Sequence, residues 1–426
     1  MTETTTAPRR EALGLRRAVL GPWPLGAPEE PLRRTPTLLI VGVWLAILLP
    51  ELARGIAEPK VWRPVTAGET ELAGWVAGVT TVCNAALVLG CAAVVLLGVR
   101  RLPWRRVLPL ALVLLAWLVT VLQLVAQDRT PRLTALVVPA VATALWAVRP
   151  QRGHVEVLGY LTGGLAAVSI VLGLVWPSVG IFVRSEAVDG EKPVSALGIL
   201  AGVLSTGNML GLALATGLAS VLFVRRDVLR WTMTVLVLVA IVWSASRTAL
   251  LAVLAVAVAA LGLALARDAR RFAGGWLALV ALGALVLPFV TRSPTAFTNR
   301  GGYWVASIEA WTQSPWIGHG ADWFKVLAQG EHNLGGHAYH AHNQVVHVLV
   351  TGGLVLGALA LAVLVVLGAR AVGWAGRGLA WPTFVLTAFA VVASFEVVVG
   401  LVDLRVCVPF VLVPLALVAF VEREAT

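Results

Sequence analysis

The chain has 426 residues, 59% of them hydrophobic and only 13% charged, with a formal net charge of +11 and a mean hydropathy of +0.87. A water-soluble globular domain carries roughly 25% charged residues, so this composition excludes one. The basic residues are dispersed over short segments rather than gathered into a groove, which excludes nucleic acid as the natural partner.

In chain order, residues 1–35 form a basic N-terminal segment, in which 10–20 suits a short helix lying on anionic lipid head groups. The first apolar run starts at about residue 35 and continues at full spanning length, unlike a cleavable signal. Twelve apolar runs follow, at 36–53, 72–98, 107–126, 133–148, 155–176, 195–224, 228–244, 248–266, 274–291, 343–368, 379–400 and 404–421. Their lengths read as transmembrane helices. The expected fold is all-α: a polytopic integral membrane protein of about 12 transmembrane helices, with one domain over 36–426 and one large, partly helical extracytoplasmic loop at 292–342. With both termini cytoplasmic, the inward segments hold 21 of the 33 basic residues, as the positive-inside rule requires. Cys83, Cys91 and Cys407 lie inside apolar runs with no metal or disulfide spacing.

The 292–343 stretch concentrates the chemistry. His319, His332, His337, His340, His342 and His347 lie in or beside it, six of the chain's seven histidines, with Arg292, Arg300 and four tryptophans. A helix over 302–313 puts Trp304, Ile308 and Trp311 on one stripe suited to the membrane interface. Pro315 ends that helix, a second short helix is expected over 321–328, and Asn343 is placed to cap the next span.

Three residues stand out. Arg247, in the turn SASRT, sits at an outer helix end where arginines are scarce; it is either a functional cation or a snorkelling anchor. Arg300 precedes Gly301 and Gly302 at a helix start, a natural seat for phosphate, although a solvated loop arginine is the plain alternative. His342, in HAHNQ, suits proton acceptance near neutrality, against a structural role. The His337, His340 and His342 spacing also admits a zinc site, but it is not one of the strong zinc patterns, and the nearest carboxylates are Glu331 and Asp322.

The string RGGYWVASIEAWTQSPWIGHGADWF, followed by HAHNQVVHVLVTGGLVLG, resembles the signature region of the O-antigen ligase and O-antigen polymerase family of bacterial membrane glycosyltransferases. The matching positions are Arg300, Trp304, Pro315, Gly318, Gly320, His342, Asn343, Gly352 and Gly353. SASRTALL and GVLSTGNMLGLALA resemble the family's upstream helices, so the likeness covers 197–354. It implies metal-independent transfer of a glycan from a polyprenyl (undecaprenyl) diphosphate carrier to an acceptor hydroxyl at the extracytoplasmic face of the bacterial cytoplasmic membrane. No cofactor is implied. The partners implied are the lipid-linked glycan donor, a glycan, lipid or protein acceptor, and membrane lipids. His342 would be the catalytic base, and Arg247 and Arg300 would hold the diphosphate. Asn208, read as mid-helix, Trp304, His340, Asn343 and Glu396 are candidate substrate-cavity residues. Glu396 has Arg405 as its expected partner, with Asp403 competing for that arginine, and Gly207 and Gly211 read equally as close helix packing. Arg184, Lys192 and Lys325 suit a solvated surface. The alternatives are a polysaccharide polymerase of the same family, a transporter or flippase for lipid-linked sugars, or a structural partner in envelope synthesis.

Overall fold

The computed structural model describes residues 32–60, 73–98, 107–182, 197–324, 340–402 and 405–421. The N-terminal segment up to Pro31 lies outside them, as do Arg184, Lys192, Lys325, Glu331, His332, His337, Asp403 and most of the helix expected over 321–328.

Each apolar run carries a helix. In order these are α1 (Arg34–Ala57), α2 (Gly74–Gly98), α3 (Val107–Ala126), α4 (Val137–Val148), α5 (His154–Val175), α6 (Gly207–Val221), α7 (Asp227–Trp243), α8 (Arg247–Leu265) and α9 (Ala269–Val290). Then come α10 (Ala296–Gln313), α11 (Gln344–Ala375), α12 (Trp381–Ala393) and α13 (Val413–Phe420), of which α10 belongs to the large loop. Among the described residues, seven helices are long and apolar enough to span a bilayer alone: α1, α2, α3, α5, α8, α9 and α11. Large side chains such as Leu89, Leu97, Leu108, Leu282 and Leu361 stay more than half exposed, which only a lipid surround makes favourable. The protein is a multi-pass membrane protein.

The bundle is organised around α6 and α12. Nearly every residue of both is buried, as expected for helices apolar all round. Of the helices shorter than their apolar runs, two shape the site. The run at 195–224 becomes helical only at Gly207, after a two-residue antiparallel ribbon pairing Ile181 with Leu200 and a turn at Gly202, whose φ is +59°. Thr206 then caps α6 by accepting from the Met209 N–H at 3.2 Å. The run at 379–400 leaves the helix after Ala393, because its next carbonyl, on Ser394, accepts from Asn343 Nδ2 at 2.9 Å.

The turn Pro315–Gly320 is set into a break in α11. Gly353 has φ +61° and ψ −162°, which interrupts the helical ladder. The N–H groups of Leu354 and Val355 donate to the Pro315 and Trp316 carbonyls at 2.8 and 3.1 Å. In return the His319 and Gly320 N–H groups, both at 2.8 Å, donate to Val350 and Thr351 carbonyls of α11. Groups freed by the break are thus satisfied internally, which a bilayer requires. Gly318 and Gly320, at φ +66° and +89°, serve this turn.

Candidate functional site at one end of the bundle

The site lies where α8, α10 and α11 begin and α12 ends. This is the opposite end from the arginine-bearing turns that precede α5, α7 and α9.

Arg247 opens α8. After α7 the chain turns through Ser244 and Ala245, the latter left-handed at φ +52°, and Ser246 Oγ caps α8 by accepting from the Ala249 N–H at 3.4 Å. Gly207 and Gly211 back this turn: a Cβ on Gly207 would lie 2.5 Å from Ser244 O, and one on Gly211 would lie 2.4 Å from Ser246 Cβ. That is the close-packing reading of the pair. Arg247 is exposed and followed by Thr248, whose Oγ1 accepts from Arg300 Nη1 at 3.5 Å. Asn208 is the second residue of α6, on the turn beside Gly207, not mid-helix as the sequence suggests.

Arg300 begins the regular part of α10, because Phe297, Thr298 and Asn299 are all left-handed. The helix start is covered. The Gly302 N–H donates to Pro294 O at 2.9 Å, and a Cβ on Gly301 would sit 2.0 Å from Ser293 O. Of the helix-start N–H groups expected to seat a phosphate, that of Gly302 is therefore already engaged, and Arg300 contributes its guanidinium. Its Nη2 meets Glu396 Oε1 at 2.5 Å, with the two side chains 15% and 12% exposed.

Glu396 lies three residues beyond α12. Its partners among the described side chains are Arg300 and His342; the side chain of Arg405, expected across the short turn, lies outside the described residues. His342 Nδ1 faces Glu396 Oε2 at 3.3 Å. Burial alone would raise the Glu396 pKa, but the hydrogen bond from His342 and the charge of Arg300 outweigh it and hold the carboxyl well below its ordinary range. An ionised carboxylate only accepts, so the proton of this contact sits on His342 Nδ1. The Tyr303 ring lies 5.4 Å from the His342 ring and the His340 ring 4.3 Å from it.

His342 is held at both sides of its backbone. Its φ is +50°, its N–H donates to His340 Nδ1 at 3.1 Å, and its carbonyl accepts from Trp304 Nε1 at 3.4 Å. Asn343 caps α11 through Oδ1, accepting from the Val346 N–H at 3.0 Å, and the same side chain ties that start to the end of α12. Trp304 corrects the interfacial stripe: it is fully buried against Phe297 and Phe395. In this segment Trp316, at 69%, and Phe297, at 44%, are exposed aromatic side chains.

His340, His342 and Glu396 bring ligand-type atoms within 4.8 Å of one another, a set different from the His337, His340 and His342 spacing. These atoms serve one another. His340 Nδ1 is occupied by the His342 N–H, His342 Nδ1 faces the carboxylate, and Arg300 already neutralises that carboxylate. These contacts engage Nδ1 of both histidines and both carboxylate oxygens, so a cation at this donor set would compete with the ion-pair network.

Beside the site, an apolar groove runs along α11 between α3 and α13. Pro109, Val113, Val348, Leu364 and Leu415 line it, with Gln344 among the residues near the site. Gln344 accepts from the N–H groups of Val398 and Val399 at 2.8 and 2.9 Å, which fixes the chain just after Glu396.

An all-helical membrane bundle with a buried Arg–Glu–His network at one end, next to an apolar groove, defines a class: a membrane protein equipped for chemistry at the lipid–water boundary. Residues 232–361 match the family model described as O-Antigen ligase, which supports that family and implies a glycosyltransferase-like membrane enzyme. The match takes in Arg247, Arg300 and His342 and stops short of Glu396. No curated protein matches the chain.

Sequence reasoning included Glu396 among the cavity residues but missed its partners. It missed Thr248 and the backbone contact of His340 altogether. The signal available for Glu396 was a carboxylate in an apolar run, which is costly unless paired.

Proposed function

We propose that this protein transfers a glycan from a polyprenyl-diphosphate carrier to an acceptor hydroxyl on the extracytoplasmic face of a bacterial cytoplasmic membrane, without a metal and with inversion at the anomeric carbon. The single observation that carries this reading is the Glu396 carboxylate bridging His342 Nδ1 and Arg300. It fixes the imidazole tautomer with Nε2 as proton acceptor and anchors a cation beside it.

In the step so assigned, the acceptor hydroxyl attacks the anomeric carbon while His342 Nε2 takes its proton, and the bond to the diphosphate oxygen breaks. The leaving diphosphate is already a stable anion, so positive charge rather than a strong acid is required. Arg247, exposed at its helix start, meets the diphosphate, and the Arg300 donors not used by Glu396 complete the clamp. Glu396 stabilises the imidazolium as it forms. The apolar groove beside Gln344 suits the polyprenyl chain. The arginine-rich turns at the opposite end of the bundle support the outward orientation, with both termini cytoplasmic.

The test uses purified protein, a polyprenyl-diphosphate oligosaccharide and an acceptor. His342→Ala is expected to abolish conversion and leave the donor unconsumed. Unchanged turnover in that variant removes the base. The polymerase reading differs only in acceptor: a second carrier-linked repeat is elongated in the same assay.

A further inference from the structure

We propose that His340 is a positioning residue: its Nδ1 lone pair holds the His342 backbone in the left-handed conformation that brings the imidazole onto Glu396. This rests on the reading of His342 as the base.

The φ of +50° at His342 is one that residues with a Cβ rarely adopt. It persists because both flanking peptide groups are engaged, the N–H by His340 and the carbonyl by Trp304. A side chain accepting from the N–H two residues on is the geometry of an Asx turn, with an imidazole nitrogen in place of the Asn or Asp oxygen. Ala341 between the two histidines is fully buried, so the segment has little room to rearrange. Without the His340 acceptor, the His342 N–H would be an unmet donor in a largely buried loop, and the ordinary right-handed conformation would become the better one. The ring would then leave Glu396.

The lone pair is available at neutral pH. Burial is the largest cause lowering the His340 pKa well below its ordinary value, with any positive charge on the neighbouring His342 acting in the same direction. Of the charged groups around it, Glu396 pulls the other way, while His347 and Arg300 add to the lowering. His340 is thereby moved from candidate substrate contact to a group that acts through His342.

The experiment measures kcat and donor KM for His340→Ala, His340→Leu and His340→Asn, with donor binding as the check that each variant folds. Ala and Leu are expected to lower kcat on the order of a hundredfold, with donor KM within about twofold, because misplacing the base affects the chemical step. Asn, which supplies an oxygen acceptor at the same place, is expected to restore kcat to within roughly tenfold of the parent. Wild-type kcat in Ala or Leu overturns the proposal, and so does Asn as inactive as Ala. The reading beneath it fails separately: a fully active His342→Ala removes the base, whereas an inactive His342→Ala with an active His340→Ala removes only the positioning role.

Discussion

Replacing Glu396 with Gln tests the network at its centre, because one carboxylate holds both the cation and the imidazole. The substitution keeps size and removes charge. As His342 takes the acceptor proton it becomes an imidazolium with its Nδ1 3.3 Å from Oε2. At an effective dielectric of about 20, such a pair is worth about 5 kcal/mol. Arg300 on the other oxygen offsets part of this, leaving roughly 3–4 kcal/mol, or about 10²–10³ in kcat. Gln also presents an amide whose N–H₂ can face Nδ1 and favour the other tautomer, which acts in the same direction. The assay is initial-rate transfer from a polyprenyl-diphosphate oligosaccharide, with kcat and donor KM fitted separately and thermal unfolding as a folding control. We expect kcat to fall by that factor with donor KM changed only a few-fold. A folded Glu396→Gln protein with kcat within threefold of the parent refutes the assignment of Glu396 as the orienting carboxylate.

Arg247→Lys keeps the charge and loses the bidentate fork, so donor KM should rise roughly tenfold or more; unaltered donor affinity removes Arg247 from the clamp. The Glu396 carboxyl is depressed to about 2, so its contribution to stability is complete above the unfolded value of about 4.3 and is lost as pH falls through the folded one. The melting difference between parent and Glu396→Gln should therefore be level from pH 7 to about 5 and shrink at lower pH. Gly353→Ala places a Cβ 2.3 Å from the Trp316 carbonyl at a φ of +61°, and should destabilise by at least about 1–3 kcal/mol, read as a lowered melting temperature in detergent. Asn343→Ala loses the α11 cap and the tether to Ser394, costing about 1–2 kcal/mol of stability and lowering kcat by displacing the adjacent His342.

What could be read from the sequence follows from how local the determining physics is. Spanning helices are set by apolar length alone, so the twelve runs carry helices with ends mostly within a few residues. The departures at Gly207 and Ala393 come from contacts that a run of apolar letters does not contain: the ribbon before Thr206, and Asn343 reaching across to the Ser394 carbonyl. The same limit governs the site. Arg300 and His342 were conspicuous because each is polar in an outer segment next to helix signals. Their shared partner is 96 residues from Arg300 and 54 from His342, so only the packing of α12 against α11 reveals it. Trp304 shows the converse error. Helical periodicity placed it on a stripe with Ile308 and Trp311, but it cannot tell the membrane interface from the face packed on the protein. In the structure the buried face wins, because the Trp304 indole N–H has the His342 carbonyl to bond. The tryptophan assigned to lipid by its spacing is thus one of the groups that hold the proposed base in place.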